Sequence, residues 1–274
     1  MLKNCRQEWY DAGKKVAVTL VDVTEAAQAL ARGHLAGPTA AHFLTEGLAA
    51  VALLGAETSE REETVILQMK CKGPLGGLNV ECTSAGTLRG YTEKKIFDAF
   101  DGMGRPDPKL VLGDRQIQVT RSVPGRILSQ GLSNSLDGYL AGSLQRKAVI
   151  LVEASVNDEV EILEARGVMI EALPDAPGES MACLSAFDEP GKPNAAGRHA
   201  ARIAGASRNI LERIGVPHAE LKRTTPLSFA CRCSPERAIA MLSALGEEER
   251  KTLPPTIDIT CHLCGRIFTV KTGV

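Results

Sequence analysis

FACRCSPERA at residues 229–238 and IDITCHLCGRIF at residues 257–268 place four cysteines close together in this chain. Cys231 and Cys233 are separated by one residue, Cys261 and Cys264 by two, and 27 residues lie between the two pairs. The pattern C-x-C…C-x-x-C is typical of a four-thiolate metal site, and each pair can also close on itself as a disulfide. We therefore expect one site that binds a metal ion and responds to oxidation.

The segment that carries these cysteines, residues 227–274, is small. A hydrophobic core alone usually fails to stabilise a unit of about 50 residues, so a metal ion is the expected cross-link in a reducing compartment. Four soft thiolates favour zinc over magnesium or calcium. An iron–sulfur cluster uses the same ligands, but this spacing matches neither of the common ferredoxin patterns.

Spacing alone favours a permanent structural zinc site, because most four-cysteine zinc sites are structural. The C-x-C half is unusual, however, since ordinary zinc ribbons use two C-x-x-C turns. Only Arg232 lies between Cys231 and Cys233. A disulfide in so short a ring is strained, and strained disulfides tend to be labile and regulatory.

The composition is that of a globular protein without a strong overall charge. The 274 residues suggest two or three structural units, and the formal net charge of −1 gives no field that would attract DNA or an anionic membrane. Aromatic residues make up only 4%, which argues against stacking platforms for single-stranded nucleic acid. No signal peptide is apparent, and the longest apolar stretch, residues 47–56, is too short to span a bilayer. We expect a cytoplasmic protein whose eight cysteines are ligands, redox sensors or buried thiols.

The pattern of apolar residues predicts an α+β fold in three parts. These are a mixed helix and sheet domain at 1–178, a helical and flexible linker at 179–226, and a small four-cysteine zinc-binding domain at 227–274. Helices are predicted to follow Thr24 and to lie at 38–55, 127–145, 199–215 and 235–245, and residues 188–197 are predicted to be a connecting loop. Strands are predicted at 16–23, 64–72, 78–82, 87–91, 109–112, 115–119, 148–155 and 167–173 and on either side of Cys261 and Cys264.

The other cysteines and the histidines are weaker candidates for a site. Cys71 and Cys82 fall in predicted strands, where a buried thiol is the default and a redox pair the less favoured alternative. His262 lies between the second pair of cysteines and could replace one as a ligand, although a solvent-facing side chain is favoured. Cys5 and Cys183 are also predicted not to be ligands. The chain has no H-E-x-x-H or G-x-S-x-G motif and no Ser/His/Asp order, so we expect no enzyme activity.

The two cysteine stretches resemble the zinc module of the bacterial 33 kDa chaperonin family. Three further stretches are similar: VDVTEAAQALARGHLAGPTAAHFLTEGLAAVALLGA from Val21, KGPLGGLNVECTSAGTLRGY from Lys72, and GVMIEALPDAPGE from Gly167. The resemblance covers nearly the whole chain in order. Its most specific element is the C-x-C…C-x-x-C pattern.

The resemblance implies a redox-regulated holdase, an ATP-independent chaperone that protects unfolding proteins from aggregation under oxidative stress. It implies one Zn²⁺ on Cys231, Cys233, Cys261 and Cys264 in a reduced, weakly active form. Oxidation would form the disulfides Cys231–Cys233 and Cys261–Cys264, release the zinc, and unfold the zinc domain and the linker. The implied partners are unfolding client proteins and, in the oxidised form, a second copy of the chain, with no nucleic acid and no membrane.

Two departures from the family pattern leave alternatives open. The family usually has Tyr-x-x-Ser-Glu-Gln after its central helix, whereas YLAGSLQ from Tyr139 has no Glu after Ser143. The family linker carries charges of both signs, whereas residues 181–205 are rich in Ala, Gly and Pro and then basic. One alternative is a zinc module that has lost the switch. The other is a constitutive zinc module that binds nucleic acid or a protein partner, supported by seven Lys/Arg against two acidic residues in 191–226.

Overall fold

The computed structural model describes residues 2–104, 106–187, 203 and 206–272, and it confirms a mixed α+β fold. The helices in these ranges are α1 Thr24–Gly33, α2 Pro38–Leu54, α3 Pro108–Leu112, α4 Leu136–Gly142, α5 Met181–Leu184, α6 Ser207–Ile214, α7 Pro235–Ser243 and α8 Glu247–Lys251. The strands are β1 Cys5–Asp11, β2 Val16–Asp22, β3 Thr64–Cys71, β4 Gly77–Thr83, β5 Thr87–Thr92, β6 Arg115–Val123, β7 Arg126–Ser133, β8 Lys147–Val156, β9 Ile162–Ala172, β10 Glu220–Pro226, β11 Ser228–Phe229, β12 Thr256–Thr260 and β13 Ile267–Lys271.

Two sheets enclose the central helix α2. The first is antiparallel with the order β10-β1-β2-β9-β8, and the second has the order β11-β5-β4-β3-β6-β7. Fifteen of the 17 residues of α2 are buried, and the helix contacts strands of both sheets. A helix that is apolar on all sides is stable only when it is buried on all sides, which explains the Ala- and Leu-rich sequence.

The segment Pro38–Glu57 is long and apolar enough to cross a membrane, with a mean hydropathy of 1.3. In the fold, most of this segment is buried inside the protein. Its composition is therefore explained by its place between the two sheets.

The first sheet buries both of its faces. Neighbouring side chains along a strand point to opposite sides, so Val21 packs toward α2 while Leu20 packs on the opposite side, here called the outer face. Leu20 lies opposite Val168 of β9, and α6 covers this side with Ile210, Leu211 and Ile214. The outer face is thus covered by residues of the predicted linker.

The predicted linker, residues 179–226, is described in part. The helix predicted at 199–215 appears as α6, which begins at Ser207, and the connecting loop predicted at 188–197 lies outside the described residues. Residues 220–226 form β10, which pairs antiparallel with β1 at the edge of the first sheet and was not predicted. Pro226 is compatible with this place, because proline is tolerated on edge strands. The division of the chain into three domains stays a prediction.

The strand predicted at 109–112 is wrong, because these residues lie in α3. The Asp107 side chain accepts the backbone N–H of Lys109 at 2.9 Å, and Pro108 occupies the first helical position. These are the two most common signals for a helix start. Gly113, at φ 58°, ends the helix.

The helix predicted at 127–145 is also wrong over most of its length. Residues 126–133 form β7, which pairs with β6 through a turn at Gly125, where φ is 77°. Helix follows only in α4, whose N-cap Ser135 accepts the backbone N–H of Gly138 at 3.0 Å. Pairing with β6 and the glycine turn outweigh the helical spacing of the apolar residues.

Candidate metal centre

Two loops supply the four cysteines. Cys231 and Cys233 lie between β11 and α7, and Cys261 and Cys264 lie in the turn of the β12–β13 hairpin. The N–H of Cys261 donates to the carbonyl oxygen of Arg266 and the N–H of Gly265 donates to that of Cys261, each at 2.8 Å. Gly265 has a φ of 74°, so the turn needs a residue without a Cβ at this position.

The structure brings the four thiols together. All four sulfur atoms lie within 4.8 Å of one another. The Sγ atoms of Cys231 and Cys261 are 3.8 Å apart, and those of Cys233 and Cys264 are 3.5 Å apart. A tetrahedral ion bonded to sulfur at about 2.3 Å, the usual zinc–sulfur distance, has sulfur atoms about 3.8 Å apart. The donor set therefore fits a tetrahedral, thiophilic ion.

The four thiols differ in acidity. Burial raises the pKa of Cys231, but hydrogen bonds from the Cys233 backbone and thiol and from Arg89 outweigh it and lower the pKa to about 7. The Nη1 atom of Arg89 donates to the Cys231 Sγ at 3.8 Å. Burial is the main cause that raises the pKa of Cys233 and of Cys264. Cys231 is therefore a more acidic thiol than Cys233 or Cys264, and the thiolate is the form that binds metal and reacts with oxidants.

Two charged side chains of the second sheet, Arg89 and Glu81, contact the loop that carries the first pair of cysteines. Arg89 of β5 forms an ion pair with Glu81 of β4, and Arg232, between the two cysteines, lies 3.7 Å from the same carboxylate. The Glu81 and Arg89 side chains are 9% and 13% exposed, so solvent screens their ion pair weakly, whereas the Arg232 side chain is 59% exposed and its contact is more strongly screened. Glu81 thus links Arg232 and, through Arg89, Cys231 to the two large sheets with helices α1 and α2, here called the main body.

The second pair packs against the end of α1 and against β5. The backbone N–H of Gly90 donates to the carbonyl oxygen of Leu263 at 3.1 Å, and a His34 ring nitrogen lies 2.8 Å from the Gly90 carbonyl oxygen. A Cβ atom on Gly33 would lie 2.6 Å from the carbonyl oxygen of Cys264, and one on Gly265 would overlap the carbonyl oxygen of Gly33. We call these backbone contacts the docking interface. They require glycine on both sides.

The remaining candidate residues lie outside this cluster. Burial raises the pKa of Cys82 to about 11, and it also raises the pKa of Cys71 and of Cys183. These cysteines and Cys5 are free thiols. His262 is exposed and packs edge-on against Tyr91, with ring centres 5.6 Å apart, so it faces away from the ligand set as expected.

Sequence reasoning missed the residues of the main body that contact the cysteines. Arg89, Glu81 and Gly33 lie more than 140 residues before Cys231, and no short motif connects them to it. The one available signal was Gly265, which directly follows the second pair and suggests a turn with positive φ.

Helix α7 begins directly after the first pair, and its cap provides a test. The Ser234 hydroxyl accepts the backbone N–H of Arg237 at 3.3 Å. We expect Ser234→Ala to lower the free energy of opening of α7 by about 1 kcal/mol, because an N-cap hydroxyl satisfies an otherwise unpaired N–H. Amide hydrogen exchange of the reduced, metal-loaded protein measures this. Ser243→Ala, at the exposed end of the same helix, is the control, and an equal loss in both variants would contradict the capping role.

Comparisons with known proteins point to one family. The family model described as Hsp33 protein matches residues 7–271. The chain is 27% identical over 280 residues to a 33 kDa chaperonin of Thermus thermophilus, with 93% of this chain and 81% of that relative covered. It is 26% identical over 271 residues to a 33 kDa chaperonin of Symbiobacterium thermophilum, with 94% and 90% covered.

The fold is also that of a solved member of this group. The crystal structure of a 33 kDa chaperonin (heat shock protein 33 homolog) from Thermotoga maritima superposes with a TM-score of 0.86 and 17% identity, over 98% of this chain and 95% of that one. The match of the family model across almost the whole sequence, together with the four-cysteine cluster, shows that the chain belongs to the Hsp33 family of chaperones.

Proposed function

We propose that the protein is a redox-regulated, ATP-independent holdase that binds unfolding client proteins in the cytoplasm and keeps them from aggregating under oxidative stress. The observation that carries the proposal is the cluster of four free thiols within 4.8 Å, built on two loops that dock on the main body. The same atoms can hold a metal ion or form disulfides, so the cluster has two chemical states with different structures.

In the reduced state Cys231, Cys233, Cys261 and Cys264 would hold one Zn²⁺. The bound ion would supply a cross-link between the two loops and keep all four sulfurs as thiolates. The predicted zinc-binding domain, residues 227–274, is here called the module. Its core consists of Ala238, Leu242 and Val270 with a few partly buried neighbours. So small a core cannot hold the loops in place without the cross-link.

Oxidation would begin at the first pair, where the Arg89 guanidinium lies 3.8 Å from the Cys231 sulfur. The thiolate sulfur attacks one oxygen of hydrogen peroxide, the O–O bond breaks, and a sulfenic acid and hydroxide form. The Cys233 thiol then displaces the sulfenic hydroxyl, which gives the Cys231–Cys233 disulfide and water. A second peroxide would oxidise Cys261 and Cys264 in the same way. Each disulfide removes two of the four ligands, so the cluster can no longer hold the ion.

The module and the predicted linker are connected at β10 and β11. Leu227 joins these strands, is 3% exposed, and donates its N–H to the carbonyl oxygen of Asn4. Ala230 donates to Leu88 of β5 at 3.2 Å, next to the first cysteine pair. Unfolding of the module would remove the Ala230 contact and loosen β10 and α6. The apolar outer face would then be free to bind clients, or a second copy of the chain in a homodimer.

Peroxide treatment with mild heating tests the proposal. We expect the reduced protein to release about one zinc ion per chain, to form Cys231–Cys233 and Cys261–Cys264 disulfides, and to begin suppressing the aggregation of a heat-unfolded reporter protein. Metal release is measured with a chelating dye and disulfides by mass spectrometry, with reductant-treated protein as the control. Unchanged metal content together with no gain in suppression would refute the switch. Salt-sensitive binding of DNA or RNA by the reduced form would instead support the constitutive zinc module.

A further inference from the structure

Arg6 of β1 is a charged side chain that is completely buried, at 0% exposure. Its Nε donates to the Glu8 carboxylate at 3.0 Å, and its Nη1 donates to the carbonyl oxygen of Ala52, near the end of α2, at 3.2 Å. Its Nη2 is buried and has no hydrogen-bond acceptor among the residues that the structure describes. A buried donor without an acceptor is rare in proteins, and such a group needs an explanation.

The thiol of Cys82 lies beside this guanidinium. A Cβ atom on Gly55 would lie 2.6 Å from the Arg6 Nη1 and 2.9 Å from the Cys82 Sγ, so both atoms border the same position. Cys82 is 0% exposed, and burial raises its pKa to about 11, while the charge of Arg6 opposes this rise. A neutral thiol is only a weak acceptor, so the reduced side chain does not satisfy the Nη2 donor.

Residues 225–228, which join β10 to β11, cover the β4–β5 turn that follows Cys82. The carbonyl oxygen of Pro226 would overlap a Cβ atom on Gly86 in this turn. Ser228 donates its N–H to the Gly86 carbonyl oxygen at 3.1 Å. Leu227, between them, is 3% exposed and belongs to the same apolar cluster as Cys82. These contacts close the end of the hairpin, so an oxidant in solution does not reach the thiol.

We propose that Cys82 is a second peroxide-reactive thiol, covered by residues 225–228 in the closed protein, and that Arg6 holds the oxygen of the sulfenic acid formed there. The inference rests on the proposed loosening of β10 when the module unfolds. Loss of the covering residues would admit water and hydroperoxide, and it would remove the burial that disfavours the thiolate. The positive charge of Arg6 would then favour the thiolate, which is the reactive form.

The reaction at Cys82 differs from that at the metal centre in its second step. The Cys82 thiolate attacks one oxygen of the hydroperoxide, the O–O bond breaks, and a sulfenic acid and hydroxide form. Cys82 is not one of the four clustered thiols, so a small thiol from solution would react next. It would form a mixed disulfide and water, and a second small thiol would restore Cys82 and leave as a disulfide. Until then the sulfenic oxygen supplies the acceptor that the Arg6 Nη2 otherwise lacks.

Chelation of the metal opens the module of the reduced protein without an oxidant and gives the first test. Peptide-resolved mass spectrometry measures the rate at which iodoacetamide alkylates each cysteine. If the closed protein exposes Cys82 in about one molecule in ten or fewer, chelation raises its rate about ten-fold or more. Cys71 is the internal control, because it lies at the other end of β3 from Val65, the partner of Cys82 on that strand. Its rate should stay nearly constant.

The role of Arg6 is tested by trapping the sulfenic acid with dimedone after peroxide treatment of the chelated protein. We expect about ten-fold less adduct at Cys82 in Arg6→Met than in the wild type, because the variant loses the charge that favours the thiolate. The Glu8 carboxylate keeps Arg223 as a partner, at 2.9 Å. The matched control is Arg115→Met, next to Cys71 on the neighbouring strand, which should leave the Cys82 adduct unchanged.

A measurement on the wild type covers the case in which Arg6→Met does not fold, as judged by circular dichroism and metal content. The pH dependence of Cys82 alkylation is recorded in the chelated protein. We expect the half-maximal rate at a pH below about 8.5, the pKa of an ordinary thiol. A half-maximal rate at or above that pH would contradict the role of Arg6.

Two further results would overturn the inference: a Cys82 alkylation rate that chelation does not change, or equal dimedone labelling of Cys82 in the wild type and a folded Arg6→Met protein. The holdase proposal is scored separately, by metal release and client protection in the peroxide-treated wild type. Client protection with an unreactive Cys82 would remove only the second thiol. A reactive Cys82 in the chelated protein, without peroxide-induced metal release, would remove the redox switch and leave this site in place.

Discussion

The Cys264→Ser variant is expected to lose the bound metal and to unfold the segment from Cys231 to Thr272, while strands β1 to β9 and helix α2 stay folded. Cys264 is 4% exposed and joins the main apolar cluster, so its loss affects both coordination and packing. Structural zinc sites in small modules contribute an apparent free energy of about 10–16 kcal/mol. Whole domains are stable by only about 5–15 kcal/mol. The other interactions of the module therefore do not supply enough free energy to keep it folded when one ligand is missing.

The measurement combines metal content with amide hydrogen exchange of β12 and β13. Zinc per chain should fall from one to nearly none, and protection of the hairpin should fall to that of an unfolded peptide. Cys71→Ser is the matched control, since it removes a partly buried thiol outside the cluster. A Cys264→Ser protein that keeps one metal ion and a protected hairpin would show that the four thiols are not the ligand set.

The second large effect is expected for Gly265→Ala. A Cβ atom at this position would overlap the carbonyl oxygen of Gly33, and backbone cannot move aside as a flexible side chain can. The module should separate from α1 and β5 while its four thiols still hold the metal. Hydrogen exchange should increase in β5, above all at Gly90, whose N–H donates to Leu263 in the docked form.

Gly125→Ala is the control that distinguishes the effect of this overlap from the effect of backbone strain. Gly125 has a φ of 77°, close to the 74° of Gly265, but no atom lies within 4 Å of the Cβ position. Both variants incur the roughly 1–2 kcal/mol of placing an L-residue in the left-handed region. Only Gly265→Ala should undock the module. Equal exchange at Gly90 in the two variants would mean that the docking interface does not hold the module to the main body.

The sequence alone predicted those elements whose signals lie in a short stretch of the chain. Pro38 followed by a long Ala- and Leu-rich run predicted α2, and the strands predicted at 78–82 and 87–91 appear as β4 and β5, with the turn residues Ser84 to Gly86 between them. The cysteine spacing predicted which four thiols come together. In each case the sequence signal lies within a few residues: the start of the helix, the turn, or the spacing within one cysteine pair.

The sequence was insufficient where distant residues decide the structure. Residues 220–226 are a strand because β1 offers an open edge more than 200 residues earlier, and the Glu8 carboxylate accepts from Arg223 at 2.9 Å. Residues 126–133 are a strand because β6 pairs with them. Asp22, Arg166 and Glu153 lie side by side on three strands of the first sheet, and each of them alone resembles an ordinary surface charge in the sequence.

The pairing of β10 with β1 has a consequence during synthesis on the ribosome. Glu8 and Arg223 are 215 residues apart in the chain, so β1 emerges long before its partner strand exists. At about 5–20 residues per second, the edge of the first sheet stays open for about 10–40 s in each nascent chain. An open strand edge is a site for aggregation. A chain that belongs to a chaperone family thus passes through a stage in which it is itself prone to aggregation, and this stage ends only after residues 220–226 have been made.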